Sequence, residues 1–171
     1  MKARALKIKL VMMDLDGVLT DGRIVYGDYG DEIKFFDVQD GLGLSLLHAG
    51  GLRTAVISSR KSRINGRRAR ELKINLLFQK TEDKLLVCQK VMKKYKLSAD
   101  EICFIGDDLV DRPVMSRVGL AVAVRNAVDE IREVSHYTTQ KSGGRGAVRE
   151  TADLILKAQG KWGDLTRKFY Q

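Results

Sequence analysis

Short, mainly apolar runs recur along the chain, and each delivers polar residues at its far end. Ile8 to Met13 breaks at once into DLDG, Thr54 to Ile57 ends in Ser58 and Ser59, and EICFIG ends in Asp107 and Asp108. Such runs, with β-branched members and turn formers at their ends, predict buried strands, and INLLF and LAVAV predict two more. Helices are predicted between them. Asp40 to Ala49 has Asp40 as its N-cap and Gly50 and Gly51 as its stop. Further helices are expected over Lys61 to Lys73, about Thr81 to Tyr95, Asp111 to Arg117 with Pro113 in the first turn, and Ala127 to Val134. After the glycine loop SGGRGA, an amphipathic helix is expected from Val148 to Ala158. RIVYGDYGDEIKFF sets two β-prone runs around a turn-rich centre, which predicts a hairpin over Arg23 to Phe36.

Strands that are apolar throughout, alternating with helices, predict an α/β fold: a Rossmann-like three-layer α/β/α arrangement with a parallel sheet covered on both faces. No repeat or linker divides the chain, so one domain is expected over residues 1–171, with a hairpin flap at 23–36 and a tail at 141–171. Ligands of such sheets sit outside the carboxyl ends of the strands. DLD, SSR and GDD all fall at that edge.

Composition narrows the classes. A hydrophobic share of 44% fills a core and excludes disorder, while one Pro and 6% aromatics argue against a Pro-rich linker protein or an antibody-like sandwich. No apolar run approaches the roughly 20 residues that span a bilayer, so no membrane-spanning segment is expected. Two cysteines, Cys88 and Cys103, are too few for a disulfide framework and fit a reducing compartment. The segment MKARALKIKLVMM reads as a leader into the first strand rather than a signal peptide, so a cytoplasmic protein is expected. Lys and Arg number 31 against 22 Asp and Glu, a net charge of +9, so nucleic acid, a membrane surface or an acidic small substrate must be weighed.

The chemistry lies in the acids. Asp14 and Asp16 are two apart, so on an extended chain their side chains project to one side, about 7 Å apart. A hard divalent cation relieves their repulsion, and Mg²⁺ suits one or two carboxylates completed by water and phosphate oxygens. Asp107, with Asp108 and Asp111 behind it, offers a further carboxylate from another strand end.

DLDGVLTDG, AVISSR, Lys84 and GDDLVD, in that order, resemble the four signature motifs of the haloacid dehalogenase superfamily of aspartyl-phosphate phosphatases. GDEIKFFDVQDGLG, GDDLVDRPVM, LAVAV and GGRGAVRE extend the resemblance, over almost the whole chain, to the 3-deoxy-D-manno-octulosonate 8-phosphate phosphatases. The resemblance implies that Asp14 is the nucleophile and Asp16 the acid and base. It also implies that Ser58 donates to the phosphoryl group, that Lys84 places a charge beside it, and that Mg²⁺ is held by Asp14, Asp107 and the backbone carbonyl of Asp16. Arg60 and Arg68 match positions that bind the sugar acid, as does the loop Asp37, Val38, Gln39, Asp40 and Gly41, with Asp37 and Asp40 suited to sugar hydroxyls.

No cap domain fits between Asp16 and Ser58, which the hairpin and one helix fill, nor between Ser58 and Lys84. Similar proteins are homotetramers in which the hairpin covers a neighbour's site and the glycine-rich tail, here with Arg145, reaches in. The segment RKSRINGRRARELK carries seven cations, which invites a nucleic-acid reading. Helical geometry sorts them: with Ile64 at zero, Arg68 falls at about 40° and Leu72 at about 80°, whereas Arg63, Arg70 and Lys73 point away. Arg68 is therefore expected to point inward and to seek an anion, and no nucleic-acid or membrane partner is expected. Two positions depart from the family pattern: Ser59 stands where glycine is usual, and Ser45 where arginine is common. A phosphatase of a nine-carbon sugar-acid phosphate or of nucleic-acid 3′-phosphates, and a non-catalytic oligomerisation module, are the alternatives. A phosphoacceptor receiver domain is set aside because its acids, hydroxyl and lysine come in a different order.

Overall fold

The computed structural model describes residues 1–170. The chain opens with a short helix α1 (Lys2–Leu6) and enters strand β1 (Leu10–Met13). The hairpin strands β2 (Val25–Tyr26) and β3 (Glu32–Ile33) follow, then helix α2 (Val38–Ala49), β4 (Arg53–Ile57), α3 (Arg63–Glu71) and β5 (Leu76–Phe78). The second half runs α4 (Lys84–Tyr95), β6 (Ile102–Gly106), α5 (Arg112–Met115), β7 (Leu120–Ala123), α6 (Asp129–Val134), β8 (Tyr137–Thr138), α7 (Ala147–Ala158) and α8 (Trp162–Thr166).

Six strands form one sheet in the order β5-β4-β1-β6-β7-β8, every neighbouring pair parallel. β1, β6 and β7 are buried at every position, as strands covered on both faces must be. Phe104, Leu10, Met12 and Ile105 fill the centre of the core, and each such side chain contributes roughly 1.5–3 kcal/mol on burial. From β1 the chain first steps to β4 and β5, then crosses back to β6 and beyond, so strand order reverses at β1. That reversal opens a crevice at the carboxyl ends of β1, β4 and β6. Right-handed crossovers put the helices of the two halves on opposite faces of the sheet.

The hairpin forms, but only Val25–Ile33 and Tyr26–Glu32 pair. The predicted leader folds as α1 before the strand begins, and β8 and α8 are elements that the apolar pattern did not announce. Asp40 is not the cap of α2. Asp37 is: its backbone is extended and its carboxylate accepts from Gln39 N at 2.7 Å. Asp40 is buried inside the first turn, and its oxygens accept from Arg149 N at 2.8 Å and Gly146 N at 3.3 Å. It thereby ties α2 to the N-terminus of α7 and to the glycine loop before it.

Candidate active site

β1 presents Asp14 to the crevice, β4 presents Ser58, β6 presents Asp107, and α4 begins at Lys84. Asp83 caps α4 by accepting from Leu86 N, which fixes where Lys84 projects. The Lys84 side chain is 1% exposed, and its ammonium lies 2.9 Å from Asp14 Oδ1 and 2.7 Å from Asp111 Oδ1. Burial opposes the charge on Lys84, but Asp111 and Asp14 outweigh it and raise its pKa. Asp111 is fully buried, and its second oxygen accepts from Asp107 N at 3.1 Å. It therefore anchors Lys84 and the Asp107 backbone rather than facing the crevice.

Oxygens of Asp14, Asp107 and Asp111 lie within 4.8 Å of one another. Burial, followed by the facing charges of Asp14 and Asp111, pushes the Asp107 carboxyl up to about 8. Asp14 is raised too, chiefly by burial, against the pull of Lys84. Asp107 Oδ1 is enclosed with no hydrogen-bond partner among the described residues. A cluster of hard oxygens crowded enough to hold protons, with one oxygen unpartnered, fits a divalent cation such as Mg²⁺. The carboxylates brought together are thus Asp14, Asp107 and Asp111; the Asp16 side chain joins a different partner. Its Oδ1 receives the Lys34 ammonium at 2.5 Å, and its Oδ2 is enclosed without one. Asp108 stays exposed and caps the turn after β6.

Gly17, at φ +99°, is where the loop after β1 meets Asp107: a Cβ there would fall inside the Asp107 carboxylate. Gly143 packs just as tightly on the Gly17 carbonyl, so the tail loop braces the loop after β1 from outside. Gly17→Ala is expected to push Asp107 out of the cluster and weaken Mg²⁺ binding at least tenfold at near-normal expression. Calorimetric titration with Mg²⁺ checks this, and unchanged affinity would show that the loop yields instead.

Ser58 is buried, and its Oγ accepts from Arg60 N at 3.2 Å, leaving its own proton to donate. Arg60 reaches outward to Tyr26 Oη at 3.2 Å and Glu32 Oε1 at 3.5 Å, so it meets the hairpin. Arg68 does turn inward: its guanidinium sits 5.3 Å over the Phe36 ring, one nitrogen donates to Asp37 O at 3.4 Å, and Nε is enclosed unpartnered. Residues 37–41, expected as a loop, form the N-cap and first turn of α2, and a Cβ on Gly41 would touch that guanidinium, so this helix start and Arg68 share one place. Val38 and Gln39 are exposed on that first turn. Asp40 is not available to a sugar hydroxyl, because both its oxygens serve the α7 backbone. Arg145 is open to solvent, 3.9 Å from Asp21. Ser45 is exposed and bonded back to Gly41 O, so the helix offers no cation there.

Lys34 and the anchoring role of Asp111 escaped the sequence reading. For Lys34 the sequence offered no more than its spacing two residues after Glu32, and β3 itself ends at Ile33.

A parallel α/β sheet with carboxylates, a hydroxyl and a buried lysine at three strand ends and one helix start defines a phosphoryl-transfer hydrolase. Residues 56–150 match the model of the haloacid dehalogenase-like hydrolases. The chain is 42% identical to the 3-deoxy-D-manno-octulosonate 8-phosphate phosphatase of Yersinia pestis over 158 residues, 92% of this chain and 84% of that one. It is 41% identical to the corresponding Escherichia coli K12 enzyme over 159 residues, 93% of this chain and 85% of that one. The Moraxella catarrhalis enzyme, crystallised with magnesium, phosphate and 3-deoxy-D-manno-octulosonate, superposes with a TM-score of 0.96 at 42% identity, covering 99% of this chain and 97% of that one. This chain belongs to the haloacid dehalogenase-like hydrolases and, within them, to the family of 3-deoxy-D-manno-octulosonate 8-phosphate phosphatases.

Proposed function

We propose that this chain is a Mg²⁺-dependent phosphatase that hydrolyses 3-deoxy-D-manno-octulosonate 8-phosphate, a step toward lipopolysaccharide. The observation that carries the reading is the buried Lys84 ammonium shared by Asp14 and Asp111 beside the unpartnered Asp107 oxygen. An Asp14 oxygen attacks phosphorus, and the bond from phosphorus to the sugar oxygen breaks. Asp16 gives its proton to that departing oxygen. Water then attacks the aspartyl phosphate, Asp16 takes the water's proton, and the Asp14 carboxylate is restored as phosphate leaves. Ser58 Oγ–H and Lys84 hold the phosphoryl oxygens, donors worth on the order of 3 kcal/mol each where charge builds. Asp14, Asp107 and the Asp16 backbone would hold Mg²⁺, which supplies charge stabilisation to the phosphoryl group. Arg68 and Arg60 face the carboxylate end of the substrate, where a guanidinium can pair in bidentate fashion, and Asp37, Val38, Gln39 and Gly41 line its sugar.

One catalytic domain of this kind, without a cap, needs a cover. Tyr29 is 99% exposed and Phe35 57% exposed on or beside the hairpin, and Val38 is 80% exposed just beyond it. These apolar groups support a homotetramer in which hairpins cover neighbouring sites, and light scattering at the tetramer mass is the expected result. Cys88 and Cys103 are free and buried, which suits the cytoplasm. Among the described residues no helix is long and apolar enough to cross a membrane.

Steady-state assays over an eight-carbon and a nine-carbon sugar-acid phosphate and a 3′-phosphorylated oligonucleotide, with and without EDTA, test the function. Preference for the eight-carbon acid and loss of turnover in EDTA are expected; preference for the oligonucleotide would reject the reading.

The metal carries a pH signature. The Asp107 carboxyl titrates at about 8 in the metal-free fold against 3.8 for the ordinary group, so its native proton is lost only near pH 8. A raised acid binds more protons folded than unfolded, so metal-free stability falls as pH rises from about 4 to about 8. Mg²⁺ must displace that proton, so its affinity should rise up to about tenfold per pH unit between pH 6 and 8 and then level. Calorimetry in buffers of different ionisation enthalpy reads both the affinity and the released proton. A flat profile would place the proton elsewhere.

A further inference from the structure

We propose that Lys34 is a positioning residue for proton transfer: the hairpin clamps one oxygen of Asp16 so that the other is held for the leaving group. The inference rests on the phosphatase reading above. Lys34 follows β3 on a flap whose neighbours face solvent, Ile33 being 45% and Phe35 57% exposed. Yet the Lys34 side chain is completely withdrawn from solvent. Burying an ammonium is costly unless it is paired, and its nearest partners are Asp16 Oδ1 at 2.5 Å and Glu32 Oε1 at 3.7 Å. No other acid is bridged to it among the described residues.

The two carboxylates of the DLD motif are fixed in different ways. Asp14 is gripped by Lys84 from α4, inside the domain. Among the described residues Asp16 is gripped only from the flap, and its Oδ2 is enclosed with no partner, the state expected of an atom kept for a reacting group. An aspartate at a loop has several rotamers of similar energy. A bond donated by the Lys34 ammonium to Oδ1 selects among them before substrate arrives and leaves Oδ2 as the oxygen that carries the proton for the leaving group. The hold extends further, because Glu32 also lies 3.5 Å from Arg60. A row of four charges, Asp16, Lys34, Glu32 and Arg60, thus runs from the acid group along the flap to the end of β4. A chain with no cap domain uses its flap to set the acid.

Leaving-group chemistry separates this role from a structural one. p-Nitrophenolate departs without a proton, so phosphorylation of Asp14 by p-nitrophenyl phosphate needs no acid, whereas a sugar alkoxide does. In the Mg²⁺-loaded enzyme, Lys34→Met is expected to lower kcat for the sugar phosphate about 100-fold with KM little changed, as loss of a placed general acid does. The first equivalent of p-nitrophenolate should still be released within about threefold of the wild-type rate, followed by slow turnover because the water step needs Asp16 as base. Lys34→Arg keeps the buried charge paired and should recover sugar turnover to within about tenfold. If Lys34→Met does not fold, Lys34→Arg decides alone, by a several-fold loss on the sugar phosphate with p-nitrophenolate release intact. Equal losses on both substrates, or no loss on either, would overturn the proposal. Absence of turnover in the wild-type enzyme would instead overturn the phosphatase reading.

Discussion

Asp14→Asn is expected to abolish turnover, by a factor on the order of 10⁵ or more, while the protein folds and melts like the wild type or slightly higher. An amide oxygen is too weak a nucleophile to displace a sugar alkoxide, and no second carboxylate can take over. Asp107 is one candidate, but Gly17 packs directly on it. Asp111 is fully buried, with its oxygens committed to Lys84 and the Asp107 amide. The fold survives because the Asp14 backbone, not its side chain, continues the sheet, its N–H donating to Ile105 O at 3.0 Å. An asparagine oxygen can still accept from Lys84, and replacing an acid that burial already disfavours removes a cost rather than adding one. The measurement is single-turnover trapping: wild-type enzyme quenched in acid should carry phosphate on Asp14, and the variant none. Wild-type rates in Asp14→Asn would move the nucleophile elsewhere and dissolve the reading.

Much of that site was legible because it depends on strand ends. Buried parallel strands must be apolar throughout, so the first polar residues after each run announce the sheet's carboxyl edge. Asp14, Ser58 and Asp107 were all found that way. The inward turn of Arg68 was legible from helical angle alone. What was not legible needed partners distant in sequence. Asp37 and Asp40 are both acids near one helix start, and local rules cannot rank them; the choice is made by the α7 backbone more than a hundred residues on, which captures Asp40. Lys34 reads as an ordinary flap lysine until Asp16 is seen to face it. Asp111 reads as one more acid of GDDLVD until Lys84 arrives from another element with a charge to share. The surplus of cations behaves in the same way. Helical position removes Arg63 and Arg70 from the site, but only the folded chain shows that Lys34 and Lys84 are the two lysines buried with it.

Lys84→Met should be the most disruptive substitution in the site, because it fails in two separable ways. Lys84 is enclosed between two carboxylates, so removing it leaves Asp14 and Asp111 buried, close together and unpaired. Breaking such a pair from one side costs about 3–5 kcal/mol. For a chain of this length each kcal/mol lowers the melting temperature by roughly 2–4 °C, so a drop of about 10 °C is expected near neutral pH. The loss should shrink as pH falls, since the stranded acids can then take protons in place of the lysine. Turnover should fall a further hundredfold or more for a reason unrelated to stability, the loss of a donor to the phosphoryl oxygens. The double variant Lys84→Met/Asp111→Asn separates the two. It removes the stranded charge while keeping an oxygen for the Asp107 amide, so it should regain most of the melting temperature and none of the activity. If the double variant recovered turnover as well, Lys84 would be a structural counter-ion for Asp111 and nothing more, and the charge beside the phosphoryl group would have to come from Lys34 or Arg60.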